Sequence, residues 1–364
     1  MKVGILGGGQ LAMMMIQSCI DDDIEFIVVD PSENPPADRY VSCIKSDFDN
    51  IEMLNKLSSA CDVVTIDFEN VPSSALKILE EKIDVHPNSK AVETCQDRLK
   101  EKNLFKECGI PVTRYEKINS LDELETLKPS FSSGSILKSR FFGYDGKNQV
   151  DLDVTDSKTA FQYCGGGKLI IEEKVKFVRE LSLIGAKDKH GETVFYPLVE
   201  NNHINGILHT SLAPYNDAEL QKKAQDYHRL LTNKMNYIGV LVIEFFLDHQ
   251  NNLIANEMAP RVHNSGHWTI EGASTSQFKA HIKTVLGEKI TNIKVDKHAA
   301  MINIISKMPD LKLLNLSSLE KIYDYGKTER HSRKLGHITL VDKNRKKLLT
   351  RIESLTKFIN QKVC

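Results

Sequence analysis

The sequence contains no stretch of about 18 consecutive apolar residues, the length a membrane-spanning helix needs. Its first residues, Met1-Lys2-Val3-Gly4-Ile5-Leu6, run straight into glycines and leave no room for the apolar core of a secretory signal. Charge of one sign is missing too: 48 Lys+Arg stand against 49 Asp+Glu, a formal net charge of −1. With no basic field and no polybasic run, neither a nucleic acid nor an anionic membrane is a fitting partner, and any phosphate must be recognised locally. The seven cysteines, Cys19, Cys43, Cys61, Cys95, Cys108, Cys164 and Cys364, are odd in number, dispersed and without a C-x-x-C pair. That argues against a disulfide framework and a structural zinc site, and it suits a reducing compartment. These absences leave a cytoplasmic enzyme whose partners are small molecules.

A chain of 364 residues is long enough for two or three domains with cores of their own. Its beginning alternates strand and helix. Lys2–Leu6 reads as a buried strand, Gly7-Gly8-Gly9 as a turn and residues 10–20 as a helix. Strands at 25–29 and 62–66 and a helix at 75–81 follow, the pattern of βαβ units on a parallel sheet. Residues 91–106 read as one helix, stopped by Gly109-Ile110-Pro111. Beyond it the texture is short strands, glycine-rich loops and hairpins, with strands at 135–138, 169–173 and 181–186. A helix over 216–236 precedes a hairpin of Val240–Leu247 and Leu253–Met258. A last part from about residue 296 has strands at 299–305 and 337–340 and a closing helix near 346–359.

Two features carry chemistry. Gly7-Gly8-Gly9-Gln10-Leu11-Ala12 fits G-x-G-x-x-A between a strand and a helix, and Asp30 ends the next strand. That is either a dinucleotide fingerprint, with the helix N-terminus on a pyrophosphate and the acid on a ribose, or a tight turn in a Rossmann-like sheet that binds something else. No hydride-transfer site follows to support the first. The hairpin is more informative. With its turn centred between Gln250 and Asn251, Glu244 lies directly opposite Glu257. Facing side chains there stand ~4.5–5.5 Å apart at Cβ, where like charges destabilise the sheet. Ile243 and Phe245 flank Glu244, so this is no freely solvated surface. Either a divalent cation such as Mg²⁺ resolves the conflict, or a one-residue shift of register parts the two glutamates.

Lys138 at a strand end, the run Phe141-Phe142-Gly143-Tyr144-Asp145-Gly146-Lys147-Asn148-Gln149, Glu172-Glu173-Lys174-Val175, Arg179-Glu180-Leu181-Ser182, and the paired Glu244 and Asn256-Glu257 follow one another in an order that resembles the ATP-grasp ligases. Asp67-Phe68-Glu69-Asn70-Val71-Pro72 and the run from Ala259 to Trp268, Ala-Pro-Arg-Val-His-Asn-Ser-Gly-His-Trp, resemble one branch of them, the N5-carboxyaminoimidazole ribonucleotide synthetases. The similarity spans essentially the whole chain.

The resemblance implies mixed α/β and α+β architecture: an N-terminal Rossmann-like parallel-sheet domain over residues 1–98, a two-part ATP-grasp clamp over 99–290 with a mobile lid at about 115–180, and a small C-terminal domain over 291–364. It implies that Lys138 and Arg98 meet the ATP phosphates, that Gly143, Tyr144, Asp145, Gly146, Lys147, Asn148 and Gln149 close over them, and that the backbone of Glu172, Glu173, Lys174 and Val175 reads adenine. Glu180 would accept the ribose hydroxyls, His203 and Asn256 would complete the nucleotide site, and Glu244 and Glu257 would hold Mg²⁺. Gln10, Leu11, Glu69, Tyr144, Lys147, Asn264, Arg330, Arg333 and Lys334 would bind the second substrate, although on its own residues the 330–334 segment reads as a solvated basic hairpin. Arg261, His263, Asp145 and Lys334 would serve the reacting centre. Many ATP-grasp enzymes carry E-x-N at the second metal glutamate; here Ala259 replaces the asparagine, so the number of metal ions stays open. The implied reaction is ATP-dependent carboxylation of 5-aminoimidazole ribonucleotide with bicarbonate through carboxyphosphate, performed by a homodimer in purine biosynthesis. A formate-using glycinamide ribonucleotide transformylase, a biotin carboxylase, an NAD-binding oxidoreductase and a non-catalytic nucleotide sensor are the rivals.

Overall fold

The computed structural model describes residues 1–143 and 148–361. Its first part is a five-stranded sheet of β1 (Lys2–Leu6), β2 (Glu25–Asp30), β3 (Ile44–Lys45), β4 (Val63–Ile66) and β5 (Asp84–Val85) in the order β3-β2-β1-β4-β5. Every pairing is parallel. Val3, Ile5, Leu6, Val64, Thr65 and Ile66 are wholly buried, as expected when helices cover both faces of a parallel sheet. The chain runs outward from β1 in both directions, so the carboxyl ends of β1, β2 and β4 border a crevice of the kind where such sheets bind ligands.

A four-stranded antiparallel sheet follows, made of β6 (Tyr115–Ile118), β7 (Ser135–Ser139), β8 (Gln149–Asp151) and β9 (Leu169–Glu173) in the order β6-β9-β7-β8. It has a small core of its own around Leu137, Leu152, Leu169 and Ile171. The remaining strands are β10 (Phe177–Lys187), β11 (Thr193–Phe195), β12 (Val199–Ile204), β13 (Ile207–Ala213), β14 (Gly239–Asp248), β15 (Leu253–Ala259), β16 (His298–Ile305), β17 (Glu320–Asp324) and β18 (Lys334–Asp342). They form a nine-stranded sheet in the order β15-β14-β10-β12-β13-β16-β18-β17, with β11 on β10. The C-terminal strands thus extend the sheet that carries the glutamate hairpin. No described helix is long and apolar enough to cross a membrane.

Two local expectations need correction. The helix foreseen over 91–106 is two helices, Ser89–Cys95 and Arg98–Glu107. Asp97 breaks it: its carboxylate caps the second helix through the Leu99 N–H at 3.0 Å and also pairs with the Arg140 guanidinium. In the hairpin, Glu244 does face Glu257, but the turn is not where it was expected. Leu247 pairs with Leu253, Phe246 with Ile254 and Phe245 with Ala255, which centres the turn on Gln250. Asp248 sets it by accepting the Gln250 and Asn252 N–H groups, each at 2.8 Å, with Asn251 at φ 59°. The register then shifts between Glu244 and Phe245, so that Glu244 meets Glu257, Ile243 meets Met258 and Val242 meets Ala259. Asn256 is the extra residue of this β-bulge. Because the bulge interrupts the pleat, Asn256 and Glu257 both face the cleft, which the nearly buried Met258 also borders, while Ala255 packs in the core.

Candidate active site

One cleft of about 1110 Å³ collects side chains from all three sheets. Its wall takes Gly9, Gln10 and Leu11 after β1, Asp30 at the end of β2, and Asp67 and Glu69 after β4. It continues through Arg98, Lys138, Gly143 and Gln149, then Glu180 and His203, then Glu244, Asn256 and Glu257, and finally Arg261, His263, Asn264, Arg330, Arg333 and Lys334. The volume exceeds that of an ordinary single-ligand pocket and gives room for two ligands side by side.

At one end the charges interlock. Arg98 donates to Glu257 at 2.9 Å and to the Gly143 carbonyl at 3.2 Å. Lys138, almost buried, reaches Glu172 at 3.0 Å, and Lys102, fully buried, reaches the same carboxylate at 3.4 Å and donates to the Asn256 carbonyl at 2.8 Å. Burial disfavours the Glu172 carboxylate, but Lys102, Lys138 and Arg98 outweigh it and hold its pKa down to about 2. Burial lowers the Lys138 pKa; Glu172 opposes that, and Arg98 and Lys102 add to it. The facing glutamates differ sharply. Burial raises Glu244, His203 opposes the rise, and Glu257 and Glu180 reinforce it. Glu257 is more open, its side chain 39% exposed, and Arg98 beside it brings its pKa below the usual carboxylate range. Glu244 Oε1 is buried without a hydrogen-bond partner. Nearby, Glu180 accepts from His203 Nδ1 at 3.0 Å; burial works against charging that histidine, but Glu180 and Glu244 raise its pKa.

At the other end the glycine turn is already filled. Asp67 accepts the N–H groups of Gly9 at 2.6 Å and Ala12 at 2.8 Å, taking the helix N-terminus where a pyrophosphate would sit. A Cβ on Gly9 would collide with Asp67 Oδ2, so the glycine is there to admit this carboxylate. Asp30, the would-be ribose acceptor, bends back onto the N–H groups of Gly8 and Ser32, both at 2.7 Å. The acid of the dinucleotide pattern, Asp30, and the incoming Asp67 are both spent inside the turn. Lys327 bonds the Gln10 side chain, Arg261 pairs with Glu69 at 2.8 Å, and Asn264 exchanges hydrogen bonds with the buried Asn303 at 3.1 and 2.6 Å. His263 lies between the two ends, 3.8 Å from Glu244 Oε1. Burial, then Arg261 and Lys334, push its pKa far down, with Glu257 opposing.

Some expected residues fall elsewhere. Tyr144, Asp145, Gly146 and Lys147 lie outside the described residues. Asn148 is not on the cleft wall; at φ 55° its carbonyl accepts the Ser139 N–H and closes the base of the loop. Glu172, Glu173, Lys174 and Val175 do not line the described cleft either. The Glu172 carboxylate is the counter-ion of Lys138 and Lys102, and Lys174 bridges Asp151 and Asp153 at 2.6 and 2.7 Å. The N–H groups of Glu173 and Lys174 go to the Arg114 and Gly134 carbonyls. Sequence reasoning missed Glu101 and Lys102. The signal was available, since both follow Arg98 at helical i+3 and i+4 spacing and so share its face.

Known proteins match along the whole chain. A model of the ribonucleotide synthetase preATP-grasp domain matches residues 1–96, the ATP-grasp domain 103–278, and the phosphoribosylaminoimidazole carboxylase C-terminal domain 299–351. The chain is 37% identical over 360 residues to N5-carboxyaminoimidazole ribonucleotide synthase of Pseudomonas aeruginosa, covering 99% of each. The crystal structure of N5-carboxyaminoimidazole ribonucleotide synthetase from Thermus thermophilus superimposes with a TM-score of 0.92 at 37% identity, over 98% of both chains. The N5-carboxyaminoimidazole synthase of Aspergillus clavatus, solved with ADP and 5-aminoimidazole ribonucleotide, gives a TM-score of 0.90 at 29% identity over 99% of this chain and 98% of that one.

Proposed function

The chain belongs to the N5-carboxyaminoimidazole ribonucleotide synthases, and we propose that its cleft joins bicarbonate to the amine of 5-aminoimidazole ribonucleotide while ATP becomes ADP and phosphate. It is an ATP-dependent ligase of purine biosynthesis. The observation that carries the assignment of its site is the pairing of Glu244 with Glu257, beside Lys138 and Arg98, in one cleft with Arg261, His263 and Lys334.

Bicarbonate is a weak electrophile. Its oxygen attacks the γ-phosphorus, the bond from that phosphorus to the ADP oxygen breaks, and the carboxyphosphate formed is reactive at carbon. Such a transfer calls for positioning and charge neutralisation more than covalent help. Lys138 and Arg98 supply fixed positive charge on the nucleotide side, and Arg261 and Lys334 on the bicarbonate side. Glu180, steadied by His203, faces the ribose. The Lys174 carbonyl and the Val175 N–H make no backbone hydrogen bond among the described residues, and these two groups would read the adenine edge. Glu244 and Glu257 fit Mg²⁺: one carboxylate oxygen is buried and unpartnered, and its neighbour stays ionised. Among the described residues no cluster of three or more His, Cys, Asp or Glu could hold an ion alone, so the ion would share its ligands between these glutamates and the phosphates. Bound there, it would add charge stabilisation at the phosphate oxygens.

The exocyclic amine then forms its bond to carbon, either on carboxyphosphate or on the carbon dioxide it releases. The carbon–oxygen bond to phosphate breaks and the amine loses a proton. Water would destroy carboxyphosphate, so the cleft must exclude it during transfer. Arg330, Arg333 and Lys334 grip the ribonucleotide, with Gln10, Leu11 and Glu69 across the cleft. We extend the proposal to the domain limits 1–98, 99–290 and 291–364, to a homodimer, and to the cytoplasm. Phosphate release measured with 5-aminoimidazole ribonucleotide and bicarbonate, against glycinamide ribonucleotide and formate, tests the assignment. Only the first pair should support turnover; activity with the second pair alone would replace this function with the transformylase.

A further inference from the structure

Behind the cleft, buried hydroxyls and one amide form a chain that ends on His263. Ser211 Oγ donates to Asn201 Oδ1 at 2.8 Å, Asn201 Nδ2 donates to Ser182 Oγ at 3.0 Å, and Ser182 Oγ donates to Ser265 Oγ at 3.0 Å. Ser265 Oγ lies 2.9 Å from His263 Nδ1, and the Ser265 N–H points at the same nitrogen from 3.3 Å. Ser182, Ser211 and Ser265 are completely buried and Asn201 nearly so, so no solvent competes for these bonds. They stand on β10, β12, β13 and the turn after Arg261, with Asn201 directly opposite Ser211 in the ladder.

The direction of the chain is fixed at its end. A backbone N–H can only donate, so Nδ1 must accept, and a neutral imidazole that accepts at Nδ1 carries its hydrogen on Nε2. Ser265 Oγ–H then also points at Nδ1, and every donor further back finds its acceptor. Reversing the chain would put a proton on Nδ1, head-on against the Ser265 N–H. Glu244 Oε1, at 3.8 Å, is too far from Nδ1 to contest this with a hydrogen bond. His263 Nε2 bonds to none of the described residues, and the ring lines the cleft.

We propose that Ser265, held by Ser182, Asn201 and Ser211, is a positioning residue that keeps His263 in its Nε2–H tautomer. The ring therefore presents a hydrogen-bond donor, not a base, to the oxygens of the activated bicarbonate, a role that rests on the function proposed above. Proton removal from the amine then falls to another group.

The test is the ¹⁵N spectrum of histidine-labelled protein at one pH above the ordinary imidazole range, with the resonances assigned by their loss in His263→Asn. The wild-type protein should show a protonated Nε2 and a bare Nδ1 at His263. Ser265→Ala should bring in the second tautomer and lower kcat on the order of tenfold, as for loss of one orienting hydrogen bond, with the KM for ATP unchanged. Ser182→Ala, one link further back, should move both readouts the same way by less. A wild-type Nδ1–H signal overturns the proposal, and so does Ser265→Ala with the tautomer and kcat unchanged. If the wild-type protein released no phosphate with 5-aminoimidazole ribonucleotide, the function would fail while the spectrum still judged the tautomer.

Discussion

Glu244 and Glu257 hold equivalent places in one ladder, yet only Glu257 has a cation of its own. Arg98 pairs with it at 2.9 Å, whereas Glu244 keeps a buried oxygen with no partner. Substitution should therefore separate them. Glu244→Gln removes a carboxyl that burial already disfavours, and the apo melting temperature should stay level or rise. Glu257→Gln leaves Arg98 mostly buried without its counter-charge and should destabilise by about 1–2 kcal/mol. Turnover should fall by roughly two orders of magnitude or more in both, with a higher Mg²⁺ requirement, and the double variant should be far from additive. Near-normal activity in either would move the metal site elsewhere. The facing pair was legible from the sequence because a hairpin couples residues close in the chain. Arg98's hold on Glu257 was not, because 159 residues separate them.

Glu101 makes a second prediction. Burial, then Glu257, raise its pKa from the ordinary 4.5 to about 8, against the Met258 N–H, Arg98 and Lys102. The native protein then holds a proton that the unfolded chain releases, so stability declines as pH rises from about 4.5 toward about 8. Urea midpoints across that window should fall with pH in the wild type. They should fall less in Glu101→Gln, which keeps an acceptor for the Met258 N–H. Identical slopes would mean that Glu101 ionises normally.

Among the elements, the glycine turn shows how a motif can be legible and its meaning not. Spacing alone matched a dinucleotide fingerprint, because Asp67 enters the turn from a strand 55 residues beyond Ala12. Its carboxylate satisfies the helix N-terminus from within. NAD should leave the melting temperature unchanged at concentrations where ADP raises it, as read by thermal denaturation; a shift with NAD alone would reopen the turn as a dinucleotide site. The hairpin shows the converse. The predicted turn centre was wrong, since Asp248 organises a tighter loop, and the bulge at Asn256 restores the predicted glutamate pairing. Bulges and side-chain caps such as Asp97 depend on partners that strand and helix periodicity does not encode. That is why element types were clear and their junctions were not.

At the scale of the whole molecule, the alternation of strand and helix announced the parallel sheet, and the ordered motifs from Lys138 to Glu257, through their resemblance to the ATP-grasp ligases, implied the clamp. The continuity of β16, β17 and β18 with the sheet of the glutamate hairpin was not visible, because β13 joins β16 across a sequence gap that holds the helices of residues 218–234 and 277–285 and the β14–β15 hairpin between them. That continuity brings Lys334 into the cleft that Lys138 also lines, so the two proposed substrate sites share one cavity. The account stands on bicarbonate being activated there by phosphoryl transfer. Turnover of ¹⁸O-labelled bicarbonate with ATP and 5-aminoimidazole ribonucleotide, followed by mass analysis of the phosphate, tests it most directly. One bicarbonate oxygen per turnover should appear in the inorganic phosphate; phosphate whose new oxygen comes only from water would contradict it.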